Sequence, residues 1–314
     1  MNKRMTVILG SAVAVIVVIV AAVYLILKQA GGRRMVSDVD GMTLVYIPAG
    51  EFTAGYAEGE LAGVPNEGLQ FTEHAVYLDG YWIDLTEVTN DMFAKFVAET
   101  NYATDAEKRG SGYVALPAVY WQEVEGASWK NPRGPEAGLE GLGEHPVVQV
   151  SWNDAQAYCA WAGRRLPTDA EWEKAARGTD RRIHPWGNDA PGGDTANLPD
   201  LTFKEYIQFD FLKPDFDDGY AFTAPVGSYP KGTSPYGILD MSGNAWEWVN
   251  DFATVEYAKN PEAKNPTGPE WAEIHVIRGA SWDIEYGATA VHREINWPDK
   301  SSASLGFRCA DSGT

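Results

Sequence analysis

The chain has 314 residues, 45% of them hydrophobic, with 25 basic and 44 acidic side chains and a formal net charge of −19. That balance excludes a protein that grips nucleic-acid backbones or anionic lipid surfaces by bulk charge, and the hydrophobic share excludes a disordered chain. Twelve Trp, 15 Tyr, 32 Gly and 18 Pro point instead to a compact domain rich in turns, with aromatic rings filling the gaps.

Residues 6–27, TVILGSAVAVIVVIVAAVYLIL, form an uncharged apolar run, long enough to cross a bilayer core, which takes about 20 helical residues. A cleaved signal peptide has a shorter apolar core followed by a small-residue cleavage site, whereas LKQAGGRRM follows here, so the run reads as an uncleaved anchor. Lys3 and Arg4 on one side and Lys28, Arg33 and Arg34 on the other give no clear orientation by charge. Residues 1–35 are therefore expected to be a membrane anchor and 36–314 a single domain. All 44 acidic side chains fall in that second part, against 20 basic ones.

MTLVYIPAGEF (42–52) and HAVYLDGYWIDL (74–85) read as strands interrupted by turns. TEVTNDMFAKFVAET (86–100) reads as a helix capped by Thr89 or Asn90, with Val88, Met92, Phe93, Phe96 and Val97 on one face. Residues 101–145, rich in Gly and Pro, read as a long ordered loop, and HPVVQV (145–150) as a short strand. Two further helices carry strong local signals. SWNDAQAYCAWAG (151–163) has Ser151 as N-cap and Asp154 three residues on, and LPTDAEWEKAARG (166–178) has Thr168 and Glu171 in the same relation, each ending at a Gly. Beyond Gly178 no helix is expected, only turns with aromatics between them.

Five His and two Cys are scattered without His-x-x-x-His or Cys-x-x-Cys spacing, which argues against zinc. DFDDG (215–219) resembles the start of an EF-hand loop, but the twelfth position is Val226 rather than Glu. Carboxylates and turn carbonyls are nonetheless dense in 194–220 and 240–251, and calcium needs about six to eight such oxygens. No nucleophile elbow, phosphate loop or dinucleotide fingerprint is present. From the residues alone, Cys159 and Cys309 are either two buried thiols or one disulfide.

Seven motifs then occur in order: MTLVYIPAGEFTAG, EVTNDMFAKFV, HPVVQVSWNDAQAYCAWAGRRLPTDAEWEKAARG, PWGN, YGILDMSGNAWEWVND, RGASW and SSASLGFRCA. Together they resemble the formylglycine-generating enzyme / sulfatase-modifying-factor family over about residues 40–312. The resemblance implies an α+β, loop-rich, C-type-lectin-like domain. The founding activity of that family oxidises a sulfatase cysteine to formylglycine, using oxygen, copper and two reactive cysteines placed between an RGGSW-like motif and GFRCA. Here Gly279 to Arg308 contains no cysteine, and Cu(I) favours soft sulfur ligands, so copper is not expected. The resemblance instead implies a Cys159–Cys309 disulfide. A second bridge of some relatives has Ala176 and Ala290 in its place.

The same resemblance implies structural calcium. One set of ligands is matched by Asn197, Leu198, Asp218 and Tyr220, and a second by Asp240, Gly243, Ala245 and Glu247. A branch of the family that binds ligands without catalysis varies in the stretch matching RGASWDIEYG (278–287). The expectation is thus a noncatalytic module that binds a ligand or scaffolds a protein or peptide partner outside the membrane, in a single-pass membrane protein whose C-terminal domain is extracytoplasmic. It would have no nucleic-acid partner, and a membrane complex is one setting compatible with it. Its candidate contact residues are Trp246, Ser281, Trp282, Asp283, Glu285, Tyr286, His292, Arg293 and Trp297, in a surface-lining loop and its surroundings. The alternative is an enzyme with altered, non-thiol chemistry on a peptide or secreted metabolite. True formylglycine generation is the third reading.

Overall fold

The computed structural model describes residues 32–57, 65–209, 212, 214–284 and 288–313. The apolar run 6–27, Glu285 and Tyr286 lie outside the described residues, and among those described no helix is long and apolar enough to cross a membrane.

Two four-stranded sheets carry the domain. The first joins β1 (Arg34–Val36), β2 (Thr43–Ile47), β5 (Tyr81–Asp84) and β12 (Ala310–Asp311), in that order and antiparallel throughout. The second has the order β10 (Glu294–Asn296), β9 (His275–Arg278), β8 (Trp246–Phe252), β11 (Leu305–Phe307), with β11 parallel to β8. Two hairpins stand beside them: β3 (Gly50–Ala54) with β4 (His74–Leu78), and β6 (Ser111–Leu116) with β7 (Tyr120–Glu125).

The three expected helices are present. Helix α1 (Asn90–Thr100) is capped by Thr89, whose side chain accepts from Met92 N. Between it and the next expected helix lies α2 (Asp105–Arg109). Helices α3 (Trp152–Trp161) and α4 (Asp169–Arg177) both open on full capping boxes, Ser151 with Asp154 and Thr168 with Glu171. Each box satisfies N–H groups that the first helical turn otherwise leaves without partners. Two more helices follow, α5 (Leu201–Ile207) and α6 (Val255–Lys259).

Three expectations need correction. Residues 101–145 are not one loop, because α2 and the β6–β7 hairpin lie within them. His145–Val150 is not a strand: Val147 N bonds Val88 O and Gln149 N bonds Ser302 O, so successive amides serve different segments. Helices do not end at Gly178. Asp200 caps α5 by accepting from Phe203 N, and Thr254 caps α6 by accepting from Tyr257 N.

One core cluster packs α1 and α3 against β11, with Phe93, Phe96, Tyr158 and Phe307 in mutual ring contact. A second fills the space between the first sheet and α4, and includes Ala176 and Ala290. The Cys159–Cys309 disulfide forms as expected, tying α3 to the chain between β11 and β12 with Cα atoms 5.7 Å apart.

Candidate functional site

The site begins where β9 ends. Gly279 has φ 98°, and a Cβ there would lie 3.2 Å from the Trp172 ring. Its carbonyl accepts from Gly243 N at 2.7 Å, pinning the turn to the segment before β8. The chain then folds into a tight turn in which Ile284 N bonds Ser281 O at 3.1 Å.

Within that turn Asp283 is a buried hub. Ser281 Oγ donates to its Oδ1 at 2.7 Å, Trp121 Nε1 to its Oδ2 at 3.1 Å, and Tyr120 Oη to its carbonyl at 2.9 Å. Burial pushes the Asp283 carboxyl up, and the surrounding donors pull it partly back. The expectation of a surface-lining loop is corrected here. Ser281, Trp282 and Asp283 are all buried. Trp282 is only 1% exposed, donates Nε1 to Ala303 O at 3.2 Å and packs edge-on against Phe203 and Phe222. It belongs to a small core cluster, because its large apolar area leaves water only when enclosed by other rings.

His292 and Arg293 are also interior. His292 Nδ1 lies 3.2 Å from Tyr56 Oη, and Nε2 lies 3.8 Å from Glu294 Oε2. Arg293 donates Nε to Asp169 Oδ2 at 2.6 Å, and its guanidinium lies 3.9 Å from the centre of the Phe71 ring. Asp169 also pairs with Arg278 at 2.7 Å. Burial pushes the Asp169 carboxyl up, but Arg278 and Arg293 outweigh that and hold it below the usual carboxylate range. These arginines are structural, since each buried charge needs a partner.

Beside these buried residues a cleft of about 330 Å³ opens to solvent at one end of the second sheet. Trp121, Trp246, Ile284, Ile295 and Trp297 line it, with Asp283, Glu294 and Lys300 as its charged members. Trp297 is 55% exposed, so a large ring stands at the rim. Of the candidates, Trp246, Asp283 and Trp297 meet in this cleft; Ser281 and Trp282 lie behind it, and His292 and Arg293 anchor the neighbouring strand. Sequence reasoning missed Tyr113 and Trp121, which reach the cleft from the β6–β7 hairpin.

The two candidate calcium sets differ in fit. Asn197 is fully buried, and its Oδ1 has no hydrogen-bond partner among the described residues. Asp218 accepts from Leu198 N at 2.9 Å and from Tyr220 N at 3.1 Å, which draws all four residues of this set together. Burial, with the negative charges of Asp200 and Asp217 nearby, pushes the Asp218 carboxyl up to about 7. An orphaned buried oxygen on the residue next to Leu198, which Asp218 holds, suits a hard cation that takes oxygen ligands.

The second set is already served by a cation of the chain. Both oxygens of Glu247 are held by Arg308, which also donates to the Asp240 carbonyl. Asp240 Oδ2 accepts from Gly227 N at 2.5 Å. Among the described residues no group of three or more His, Cys, Asp or Glu side chains is arranged to hold a metal, so any calcium here relies on amide and carbonyl oxygens. A thiolate-bound copper ion does not fit: the sequence has two cysteines, and they are bonded to each other.

The sequence model of the Sulfatase-modifying factor enzyme 1-like domain matches residues 33–312. The formylglycine-generating enzyme of Streptomyces coelicolor is 41% identical over 293 residues, covering 85% of this chain and 88% of that protein. The "Inactive C-alpha-formylglycine-generating enzyme 2" of Mus musculus is 38% identical over 292 residues, covering 86% and 85%. Among solved structures, PvdO from Pseudomonas aeruginosa superposes with a TM-score of 0.68 at 26% identity, covering 90% of this chain and 98% of that one.

Proposed function

From the premise that the chain belongs to the sulfatase-modifying factor enzyme 1-like family, we propose that it is a noncatalytic member, which holds a protein or peptide partner in the cleft beneath Trp297. The observation that carries this reading is the disulfide. It takes up both cysteines of the sequence, so no thiol is left to bind Cu(I) or to react. The relative named inactive supports it, since this fold is kept there under a name that denies the activity.

The cleft has the features of a binding surface. The rigid indole of Trp297, exposed at the rim, offers a large contact area at small entropic cost, while Trp246 is buried and closes the cleft from the core side. Lys300 Nζ lies 5.7 Å from the Tyr113 ring centre, and Glu294 adds a negative charge, so a partner with both charge signs is accommodated. Altered chemistry at Ser281 has less support. Its hydroxyl is fully buried and donates to Asp283, a carboxylate already engaged by Trp121.

We further propose that the apolar run 6–27 anchors the chain and that the domain stands outside the cytoplasm, where its disulfide persists. Protease shaving of intact cells tests this, and a domain protected until lysis would overturn the orientation. The noncatalytic reading is tested by incubating the protein with a Cys-x-Pro-x-Arg peptide, oxygen and copper. Mass spectrometry should find no aldehyde product, and an aldehyde formed only by undenatured protein would sink the reading.

A further inference from the structure

A second pocket of about 250 Å³ lies apart from the cleft, with Trp282 in its wall. In a chain where acidic side chains outnumber basic ones 44 to 25, none of the pocket's lining residues is Asp or Glu, while Arg133 and His145 both are members. Arg133 is exposed and makes no ion pair among the described residues. Its guanidinium lies 4.3 Å from the centre of the Phe222 ring. A guanidinium held on an aromatic face keeps its in-plane N–H groups free for a planar acceptor.

Other polar groups border the same space. His145 is 7% exposed, and its Nδ1 lies 3.1 Å from Thr223 Oγ1. The Thr223 backbone also hydrogen-bonds the ring, so Thr223 holds His145 in the pocket wall. Ala221, Phe222 and Thr223 border the pocket, and their backbone N–H groups donate to no acceptor among the described residues. Leu142, Tyr220 and the edge of Trp282 supply apolar wall. An arginine on an aromatic face with no acid in the lining is the chemistry of an anion site, and the apolar wall asks for a ligand with a flat hydrophobic body.

We propose that this pocket binds the carboxylate of a small aromatic ligand, with the carboxylate bidentate on Arg133 and the ring against Leu142 and Tyr220. The carboxylate belongs either to a free aryl acid or to the C-terminus of a peptide ending in an aromatic residue. A dianionic phosphate is disfavoured, because one arginine and a neutral imidazole would face two charges inside a strongly acidic protein. The site does not depend on the cleft, since its donors come from the 132–145 and 219–223 segments.

Titration calorimetry on the detergent-solubilised full chain tests the proposal, with benzoate, benzamide, Gly-Gly-Phe and Gly-Gly-Phe-amide as probes. Each acid should bind at least about tenfold more tightly than its amide. Tighter binding of benzoate identifies a free acid as the source, and tighter binding of Gly-Gly-Phe identifies a peptide terminus. Arg133→Gln should weaken the acids about tenfold and leave the amides and the melting temperature unchanged, and Arg133→Lys should restore part of the loss. Trp297→Ala, in the cleft, should change none of these values, which separates this site from the proposed partner cleft. Acid and amide binding equally, no binding of either acid up to ~10 mM, or an unaltered affinity in Arg133→Gln would each overturn the proposal.

Discussion

Arg308 grips Glu247 with two hydrogen bonds, Nε to Oε2 at 2.6 Å and Nη2 to Oε1 at 2.7 Å, and neither side chain reaches solvent. Trp172 Nε1 adds a third donor to Oε2 at 2.8 Å. The pair welds β8 to the end of β11. Replacing one member leaves the other buried and unpaired, which costs about 3–5 kcal/mol. Glu247→Gln should therefore lower the unfolding free energy by that order in urea titration. A loss below about 1 kcal/mol, the usual worth of an exposed pair, would show the contact to be dispensable.

Calcium is expected at Asn197, Leu198, Asp218 and Tyr220. A cation bound only by the folded state stabilises it by mass action, by about 2.7 kcal/mol at a hundredfold excess over Kd. Chelation should lower the melting temperature, and Asp218→Ala should abolish the difference between chelated and calcium-loaded protein. Because Arg308 already neutralises Glu247, Asp240→Ala should leave the calcium-dependent difference in place. A melting curve indifferent to chelator, with no metal copurifying, would dismiss the site.

His275 gives the domain an acid-sensitive point. It is buried between Trp152 and Phe252, with ring centres 4.1 Å away on each side. Burial pushes its pKa down to about 4, although its Nδ1 lies 3.1 Å from Asn250 O. The unfolded chain binds this proton below about pH 6.5 while the folded chain does not. Stability should thus fall as pH drops from about 6.5 to about 4, and this contribution should level off below that. His275→Phe should flatten the wild-type slope in that window, and an unchanged slope in chemical denaturation would refute the assignment.

Two tryptophans from neighbouring stretches should behave oppositely. Trp282→Ala empties a core position and is expected to cost about 3–5 kcal/mol. Trp297→Ala removes an exposed ring and should change stability by no more than about 0.5 kcal/mol, while weakening capture of the cleft's partner. Equal melting temperatures for the two variants would mean that Trp282 is not the core residue its contacts describe.

Much of this fold is legible in the residues. Ser151 with Asp154 and Thr168 with Glu171 mark two helix starts, because a side-chain cap needs only local chemistry. The β6–β7 hairpin is not legible, since its turn places Ala118 at φ 61° and Tyr120 at φ 71° where Gly or Asn would normally announce it. HPVVQV has strand composition, yet Gln149 sits at φ 60° and its amide bonds a distant loop. Of the candidate site, the disulfide and the Asn197–Asp218 grouping follow from motif matches, and the structure joins both. The direction of Trp282 does not follow, because an aromatic residue in a turn can face water or the core, and only the rings of Phe203 and Phe222 decide. Trp121 reaches the cleft from more than a hundred residues away, and nothing in its local sequence marks that destination.

The sheet that holds β1 and β2 is closed on its far side by β12, where Ala310 pairs with Ile83 and Asp311 with Trp82. The strand that completes the sheet therefore leaves the ribosome far later than β1, β2 and β5, and Cys309 emerges with it. Until β12 emerges, β5 presents an open edge, a template for pairing with any other extended chain. The nascent domain needs shielding until then, and truncation before Ala310 would leave that edge permanently bare. Loss of β12 should therefore appear as aggregation and clearance of the protein rather than as a folded domain with weaker binding.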